Sequence, residues 1–346
     1  MPEIKTKYIN GQKVIRTVKS DGLTDSFGEQ DMVFQCGFNT GSTPRWGKFD
    51  FKVNQTRVLI RVVWGENSYK MYEFLNVSSA TISFMPGIDG NGGTVGMKFT
   101  NFQVIIYLSE PHLITNFETS TNSDNNRIGW GTYYINTNRC PNITKIKATN
   151  VDSTTISGIS QLPLFYLEMI SNNPSSITTA FSSMSNLKYL ILNVWSGDLT
   201  IFHPNLRFFN GRIQNFPTFD LASFFCNTNR MGLILGGVYK PSNHIKYDGG
   251  AIFPEHIVEE KGMPITYILL LNNTDFLITK PTPDMVSRFL VDFANQVKSV
   301  TLANKRIAFG GLPPNTAYED LTQPLYKNYT DAMAYITGTL GITVTF

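Results

Sequence analysis

The stretch that decides the fold is Leu187-Lys-Tyr-Leu-Ile-Leu192, in which leucine stands at the first, fourth and sixth positions. Side chains alternate between the two faces of a strand, so Leu190 and Leu192 share one face. The spacing Leu-x-x-Leu-x-Leu therefore predicts a short strand that turns its apolar side chains into a narrow core. One such strand cannot bury that face alone, so the chain must supply neighbouring strands.

The same spacing recurs along the chain, with other apolar residues in the leucine places. Intervals of 19 to 24 residues separate the first five copies, and the next two intervals are 35 and 32 residues. A repeat of this length predicts stacked units, each of which contacts its neighbours. The copies are Ile143/Ile146/Ala148, Leu164/Leu167/Met169, Leu187/Leu190/Leu192, Leu206/Phe209/Gly211, the half-formed Leu233/Leu235, Ile265/Ile268/Leu270 and Val297/Val300/Leu302.

Three segments resemble the BspA-type leucine-rich repeat, whose consensus places an Ala-Phe pair and a cysteine ahead of the strand. Residues 177–192, Ile-Thr-Thr-Ala-Phe-Ser-Ser-Met-Ser-Asn-Leu-Lys-Tyr-Leu-Ile-Leu, match it best, with Met184 in the cysteine place. Residues 221–226, Leu-Ala-Ser-Phe-Phe-Cys, and residues 140–146 are further traces. The resemblance extends over about residues 138–310. It implies an irregular leucine-rich-repeat-like solenoid, in which the cysteines of the last two segments have a structural role.

The remaining segments predict domains on either side of the repeats. Residues 31–110 hold short apolar stretches about ten residues apart, which is typical of an antiparallel β-sandwich-like domain. Residues 1–30 are polar and weakly patterned, and we interpret them as an N-terminal arm. The solenoid occupies residues 111–312, and a C-terminal cap over residues 313–346 covers its end. The expected fold class is β-rich and mixed α/β.

One helix is expected inside the last long interval. Four apolar residues from Met285 to Val297 follow at steps of four, with an aspartate just before them. This period predicts an amphipathic helix over residues 283–297 and accounts for the longer interval. Within the cap, residues 318–337 are expected to be partly helical, and residues 341–346 to form a strand.

The composition excludes several classes of protein. Hydrophobic residues make up 42% of the 346 positions, aromatic residues 13% and charged residues 16%, which excludes a disordered chain. A formal net charge of +3 argues against a basic surface for nucleic acid. The apolar runs are too short to span a membrane, and residues 1–17 lack the apolar segment of a signal peptide. Uncharged polar residues together with aromatics favour an extracellular or viral surface protein.

Residue types that carry chemistry are scattered along the chain. The four histidines have no partner at metal-ligand spacing, and no Gly-x-Ser-x-Gly nucleophile motif is present. His256 with three nearby glutamates is the densest ionisable cluster, and we interpret it as an exposed loop. The sequence therefore predicts no catalytic residue, no metal and no cofactor. The three cysteines are interpreted as buried thiols that pack as small apolar side chains: Cys36, Cys140 and Cys226.

The binding hypothesis rests on the residues between the leucines, which point to the outer face of the sheet. Reading these positions from copy to copy predicts an aromatic ladder with basic residues beside it. Such a row fits a sugar ring or another protein. Two other interpretations stay open, namely cross-strand pairing within the sheet and a cover formed by a loop of this chain. The predicted binding set is Tyr166, Tyr189, Phe208, Tyr267, Lys188 and Arg207.

The expected function is binding or assembly without catalysis. The β-rich composition, the lack of an export signal and the two-part design resemble a structural protein of a phage virion, such as a tail or fibre component. Its partners would be other virion proteins or further copies of the chain, and a bacterial surface glycan or protein receptor. No nucleic acid and no membrane insertion are expected.

Two alternatives stay open. One is a bacterial cell-surface leucine-rich-repeat adhesin, and the other is a polysaccharide-degrading tailspike. Two clustered acids in a groove beside Tyr189 would favour the tailspike, because hydrolysis of a glycosidic bond uses a pair of carboxyl groups.

Overall fold

The structure is a computed structural model that describes the chain in part. Up to residue 140 it describes ten strands by their backbone, together with His112 and Thr115. Contacts between residues divide the chain into two compact units, Met1–Asn173 and Pro174–Phe346. Beyond residue 140 the described ranges are 141–149, 161–170, 181–195, 203–213, 218–237, 244–260, 265–272 and 282–346.

The first unit is built from strands. Seven of them form an antiparallel sheet in the order β1-β2-β6-β5-β8-β3-β10, and β1 and β2 come from the segment predicted as an arm. Elsewhere β9, β11 and β12 are parallel neighbours, and β4 lies antiparallel between β7 and β9. The strands are β1 (Ile4–Ile9), β2 (Gln12–Thr17), β3 (Met32–Asn39), β4 (Phe49–Lys52), β5 (Gln55–Gly65), β6 (Ser68–Val77), β7 (Thr81–Phe84), β8 (Asn101–Leu108), β9 (Asn116–Thr121), β10 (Gly129–Ile135), β11 (Lys145–Thr149) and β12 (Tyr166–Ile170).

The second unit holds a parallel sheet and the helices. Its elements are β13 (Tyr189–Trp195), β14 (Phe208–Ile213), β15 (Thr218–Asp220), α1 (Leu221–Phe224), β16 (Gly232–Gly237), β17 (His244–Lys246), β18 (His256–Val258), β19 (Leu269–Asn272), α2 (Pro283–Gln296), β20 (Ser299–Thr301), β21 (Arg306–Ala308), α3 (Tyr329–Ala334) and β22 (Thr343–Thr345). The sheet has the order β13-β14-β16-β19-β21-β22. Two parallel pairs, β15 with β17 and β18 with β20, lie outside it. The described part of the chain is therefore mixed α/β, as predicted, and it has a mostly parallel sheet and few helices.

The strand core follows the alternation that the repeat spacing predicts. One residue from each of five strands lies directly opposite the next, and all five are fully buried. In a parallel sheet these side chains stack at the strand spacing, so each copy covers its neighbour's apolar face. The row is Leu190, Phe209, Leu233, Leu269 and Ile307.

Glycine replaces the third leucine in the copy that contains Phe209. A Cβ built on Gly211 would lie 2.4 Å from the Phe209 ring, so the ring occupies the place of the missing side chain. Gly211 stands opposite Leu192 and Leu235, both of which are buried. The Phe209 ring thus takes part of the space that a leucine at position 211 would fill, which keeps the core closely packed.

Arginine replaces the first leucine in the half-formed copy. Arg230 is only 3% exposed, and its guanidinium donates hydrogen bonds to the carbonyl oxygens of Leu206 and His203. The guanidinium carbon also lies 5.0 Å from the centroid of the Phe224 ring. A buried charge is tolerated only with such partners, so Arg230 completes the copy by binding the preceding turn.

The last two copies differ from the prediction in register and in place. Leu269, not Ile268, stands opposite Leu233, so the copy is shifted by one residue. Both Ile268 and Leu269 are buried, and spacing alone does not select between adjacent apolar residues. Val300 belongs to β20, which pairs with β18 outside the main sheet, and the next strand of the main sheet is β21.

The predicted helix is confirmed as α2, which begins with a proline in its first turn and has Asp284 near its start. Phe289 and Phe293 point into an aromatic cluster, where the Phe289 ring lies 5.8 Å from Phe225 and 5.3 Å from Phe253. The partly helical segment and final strand expected near the C-terminus are confirmed as α3 with the π-helical turn Tyr335–Thr339, and β22.

One cysteine differs from its prediction. Cys226 is a free, exposed thiol at an isolated bridge to Ile252, not a buried one. Phe224 and Phe225, just before it, fill the core instead. Cys36 and Cys140 lie outside the residues whose side chains the structure describes.

Candidate functional site

The structure brings two of the predicted ladder residues together. Tyr189 stands directly opposite Phe208, with ring centroids 6.2 Å apart, and Phe208 stands opposite Gly232. Tyr166 belongs to the first unit, where it lies opposite Lys145 and its hydroxyl donates to Glu168 at 2.6 Å.

The ladder is not an exposed surface at its centre. Tyr189 is 1% and Phe208 3% exposed, which differs from the prediction that these positions face solvent. A Cβ on Gly232 would lie 2.6 Å from the Tyr267 carbonyl oxygen and 2.9 Å from Ile265. Residues just before β19 therefore cover this row of the sheet, which is the loop-cover alternative left open by the sequence.

Glu260 forms a second part of the cover. Its carboxylate pairs with Arg207 and with Lys188, the latter at 3.5 Å. The Tyr189 hydroxyl faces the same stretch, and burial together with the charge of Glu260 raises the pKa of Tyr189. The predicted basic residues thus bind a carboxylate of their own chain. Sequence reasoning placed Glu260 in an exposed loop, because nothing local pairs it with residues more than fifty positions away.

Tyr267 lies apart from the ladder row. It precedes β19 and is half-buried, and its hydroxyl accepts a hydrogen bond from Arg306 at 3.4 Å. The Arg306 guanidinium lies 5.9 Å from the centroid of the Tyr267 ring. The one-residue shift of this copy is the reason, because it moves Tyr267 out of line with Phe208.

Glu260→Gln is expected to lower the free energy of unfolding by about 1 kcal/mol, since it removes the charge shared by Arg207 and Lys188. Sodium chloride should destabilise the wild type more than the variant, because salt screens only the charged pair. Urea unfolding at two salt concentrations measures both effects. Glu255→Gln is the matched control, because its partner Lys298 is largely exposed, and no change is expected. An equal response of both variants would contradict the role of Glu260.

A second candidate site is a cavity of about 380 Å³ in the C-terminal half of the second unit. Three segments line it: the turn after β17, the middle of α2, and the loop before α3. The Gln323 amide nitrogen donates to Asp292 at 2.7 Å and reaches Asp320 at 3.4 Å, so two carboxyl groups share one donor. The polar residues that line the cavity include Arg288, Asp292, Tyr318, Glu319, Asp320 and Gln323.

The surroundings of the two carboxyl groups shift their pKa values in opposite directions. Burial raises the pKa of Asp292, although hydrogen bonds from Tyr247 and Gln323 offset part of this. Hydrogen bonds from the side chain and backbone of Thr322 lower the pKa of Asp320. The pKa values of the two carboxyl groups are therefore shifted apart, as in many functional sites.

Asp292→Asn is expected to gain stability relative to the wild type as pH rises above about 4, the ordinary pKa of aspartate. The raised pKa of Asp292 means that the folded state holds a proton which the unfolded state releases. Wild-type stability therefore falls as pH rises through that window, and asparagine does not titrate. Denaturant unfolding of both proteins between pH 4 and pH 8 measures the difference.

Asp248→Asn is the control for this prediction, because that side chain is 81% exposed at the same cavity. The groups that face Asp292 are Tyr247, Arg288, Asp320 and Gln323, and all are retained in both variants. A difference between Asp292→Asn and wild type that stays flat or shrinks with pH would contradict the buried-acid assignment.

The cavity residues carried no signal in the sequence. They come from segments some thirty to seventy positions apart, and none belongs to a recognisable motif. Among the described residues no group of three or more His, Cys, Asp or Glu side chains is placed to hold a metal ion. His256, which the sequence placed in an exposed loop, begins β18 instead. Its Nδ1 atom lies 2.8 Å from the Ser299 hydroxyl oxygen.

The described part of the chain thus belongs to the mixed α/β class and has a mostly parallel sheet. It contains a covered aromatic row and, separately, a polar cavity. No protein-family model, curated protein or solved structure matches this chain. Within the described ranges, none of the helices has the length and apolar character needed to cross a membrane.

Proposed function

We propose that this chain is a non-enzymatic binding or assembly protein built on an irregular leucine-rich-repeat-like solenoid. The most specific form of the proposal is a component of a phage virion, in the tail or fibre, that serves assembly or attachment to the host surface. Its partners are other virion proteins or further copies of itself, and a bacterial surface glycan or protein receptor.

The observation that carries the proposal is the order of the strands in the second unit. Each strand from β13 to β22 in the main sheet pairs with the next one along the chain, and all run parallel. A main sheet that gains one parallel strand per repeat, each beside the strand of the preceding repeat, is the pattern expected of a solenoid and supports the proposal. Solenoids present extended surfaces, which suits attachment and assembly better than a small enclosed reaction site.

The sheet face next to the covered aromatic row supplies a contact surface. Ile191, Asn210, Ile234 and Leu270 lie opposite one another on successive strands, and all four are partly exposed. They follow the aromatic row by two positions, so they lie on the same face. A partly exposed row of three apolar side chains and one amide is typical of a surface that contacts another protein.

The seven-stranded antiparallel sheet supports a separate domain at the N-terminal end of the chain. In the proposal this β-sandwich-like domain over residues 31–110, with the segment 1–30, anchors the protein in the particle. The solenoid of residues 111–312 contacts the host, and residues 313–346 cap it.

Mass spectrometry of purified phage particles, from a culture that expresses this gene, tests the proposal. Peptides of the chain at a stoichiometric copy number per particle are expected. Their absence from particles, with the protein on the bacterial envelope instead, would overturn the virion assignment and support the cell-surface adhesin.

The polysaccharide-degrading tailspike is the second candidate, and one observation favours it. Asp292 and Asp320 both contact the Gln323 amide in a cavity, although not beside Tyr189, and a glycosidase uses two carboxyl groups in one cleft. Release of reducing sugar ends from host surface polysaccharide by the wild type, and its loss in Asp292→Asn, would favour this candidate over the binding protein.

A further inference from the structure

The cavity between α2 and the loop before α3 is lined by hydrogen-bonding groups of both kinds. The Arg288 Nη2 group makes no hydrogen bond to the residues that the structure describes, so it remains a donor. Its Nε donates to the Tyr318 hydroxyl at 3.0 Å and its Nη1 to the Asp248 carbonyl at 2.6 Å. The lining residues with acceptor groups are Glu319, Asp320 and Gln323. A ligand that fits must both donate and accept hydrogen bonds.

The walls of the cavity are fixed by contacts that do not involve a ligand. Gln323 joins the loop to Asp292 on α2, and Arg288 joins α2 to Tyr318 and to the turn after β17. The Asp320 carboxylate also accepts bonds from Thr322 within the loop. Groups held in place before binding lose little conformational entropy when the ligand arrives.

The charge inside the cavity disfavours an anionic ligand. Asp248, Glu319 and Asp320 line it together with Arg288, so carboxylates outnumber the guanidinium, and burial raises the pKa of Asp292 beside them. Asp248, at the rim of the cavity, is 81% exposed and pairs with Lys246 at 3.8 Å. The carboxylates repel phosphate and other anions, and their oxygens accept hydrogen bonds from the hydroxyl groups of an uncharged ligand.

The size of the cavity limits the ligand. A volume of about 380 Å³ is near the lower end of the range for small-molecule sites. Gly250 has φ of 87°, and no atom lies within 4 Å of where its Cβ would be, so the cavity is open on that side. One uncharged ring with several hydroxyl groups satisfies the size, the exclusion of anions and the mixture of donors and acceptors.

We propose that this cavity binds a neutral pyranose sugar, as a free ring or as the end of a glycan, through Arg288, Glu319, Asp320 and Gln323. This site is separate from the sheet face proposed above for protein contacts. A sugar site here stands whether or not the chain belongs to a virion, so particle composition and sugar binding test different statements.

Saturation-transfer NMR on the full chain tests the proposal, with D-glucose, D-galactose and N-acetyl-D-glucosamine as probes at about 10 mM, the range of weak single-sugar affinity. At least one neutral sugar should receive saturation. Asp320→Asn should reduce its affinity at least tenfold, because the amide turns an acceptor into a donor while its oxygen still accepts from Thr322. Glu319→Gln should weaken binding less, because that side chain is exposed.

Three controls keep the result specific. Glu255→Gln changes an exposed carboxylate of the same unit outside the cavity and should bind as wild type does. Circular dichroism of each variant shows that the fold is intact. Glucosamine tests the charge, because binding of this amine without binding of any neutral sugar would overturn the proposal. No transfer to the three neutral sugars, or full binding by Asp320→Asn, would overturn it too.

Discussion

Phe289→Ala should lower the free energy of unfolding of the second unit by about 3–5 kcal/mol, the cost of truncating a fully buried phenylalanine. The Phe289 side chain has no exposed surface, and its ring contacts those of Tyr247 at 5.4 Å and Phe309 at 5.8 Å. Further ring contacts join it to Phe225 and Phe253. Alanine would leave a cavity where elements from four parts of the unit meet, because such a closely packed cluster relaxes only in part.

Urea unfolding followed by far-ultraviolet circular dichroism measures this effect. Phe289→Leu should cost less than half as much, since leucine fills most of the space. Leu325→Ala is the surface control, because Leu325 is 70% exposed and should change stability little. A loss for Phe289→Ala no larger than that for Leu325→Ala would show that the aromatic cluster does not form the core of this unit.

Gly232→Ala should lower the free energy of unfolding by about 1–3 kcal/mol, the usual cost of overpacking. An alanine Cβ would approach the Tyr267 carbonyl oxygen to 2.6 Å, and Ile265 and Phe208 to 2.9 Å each. The carbonyl belongs to the backbone, so relief requires the segment before β19 to move off the sheet. The same movement would expose Phe208 and Tyr189, which that segment helps to cover.

Thermal unfolding, together with the near-ultraviolet signal of the tyrosines, measures both consequences for Gly232→Ala. Gly338→Ala is the matched control, because no atom lies within 4 Å of its Cβ position and its stability should not fall. If Gly232→Ala were as stable as Gly338→Ala, the segment before β19 would not lie against the sheet, and the account of the covered aromatic row would be wrong.

Local patterns predicted the elements well where one period dominated. The four-residue period of Met285 and its successors predicted α2, and the two-residue alternation in the leucine copies predicted the core faces of β13 and β14. These predictions are correct because each depends only on residues two to four positions apart in the sequence. Where Ile268 and Leu269 are adjacent and both apolar, the period no longer selects a face, and the predicted register was one residue out.

The sites depended on contacts that no local pattern contains. Side-chain alternation correctly put Tyr189 opposite Phe208, but burial of that row comes from Glu260 and Tyr267, which arrive from further along the chain. The cavity likewise gathers Arg288, Asp320 and Gln323 from separate segments.

Alternation along a strand follows from backbone geometry, so the order of apolar and polar residues is enough to set which side chains share a face. Whether that face meets water, a partner or the same chain depends on long-range packing. Tyr189 shows the difference: its position in the strand was readable from six residues, whereas its cover is formed by a carboxylate seventy-one positions away. Local sequence thus sets the strands and their faces, and the tertiary structure alone decides which faces remain available for binding.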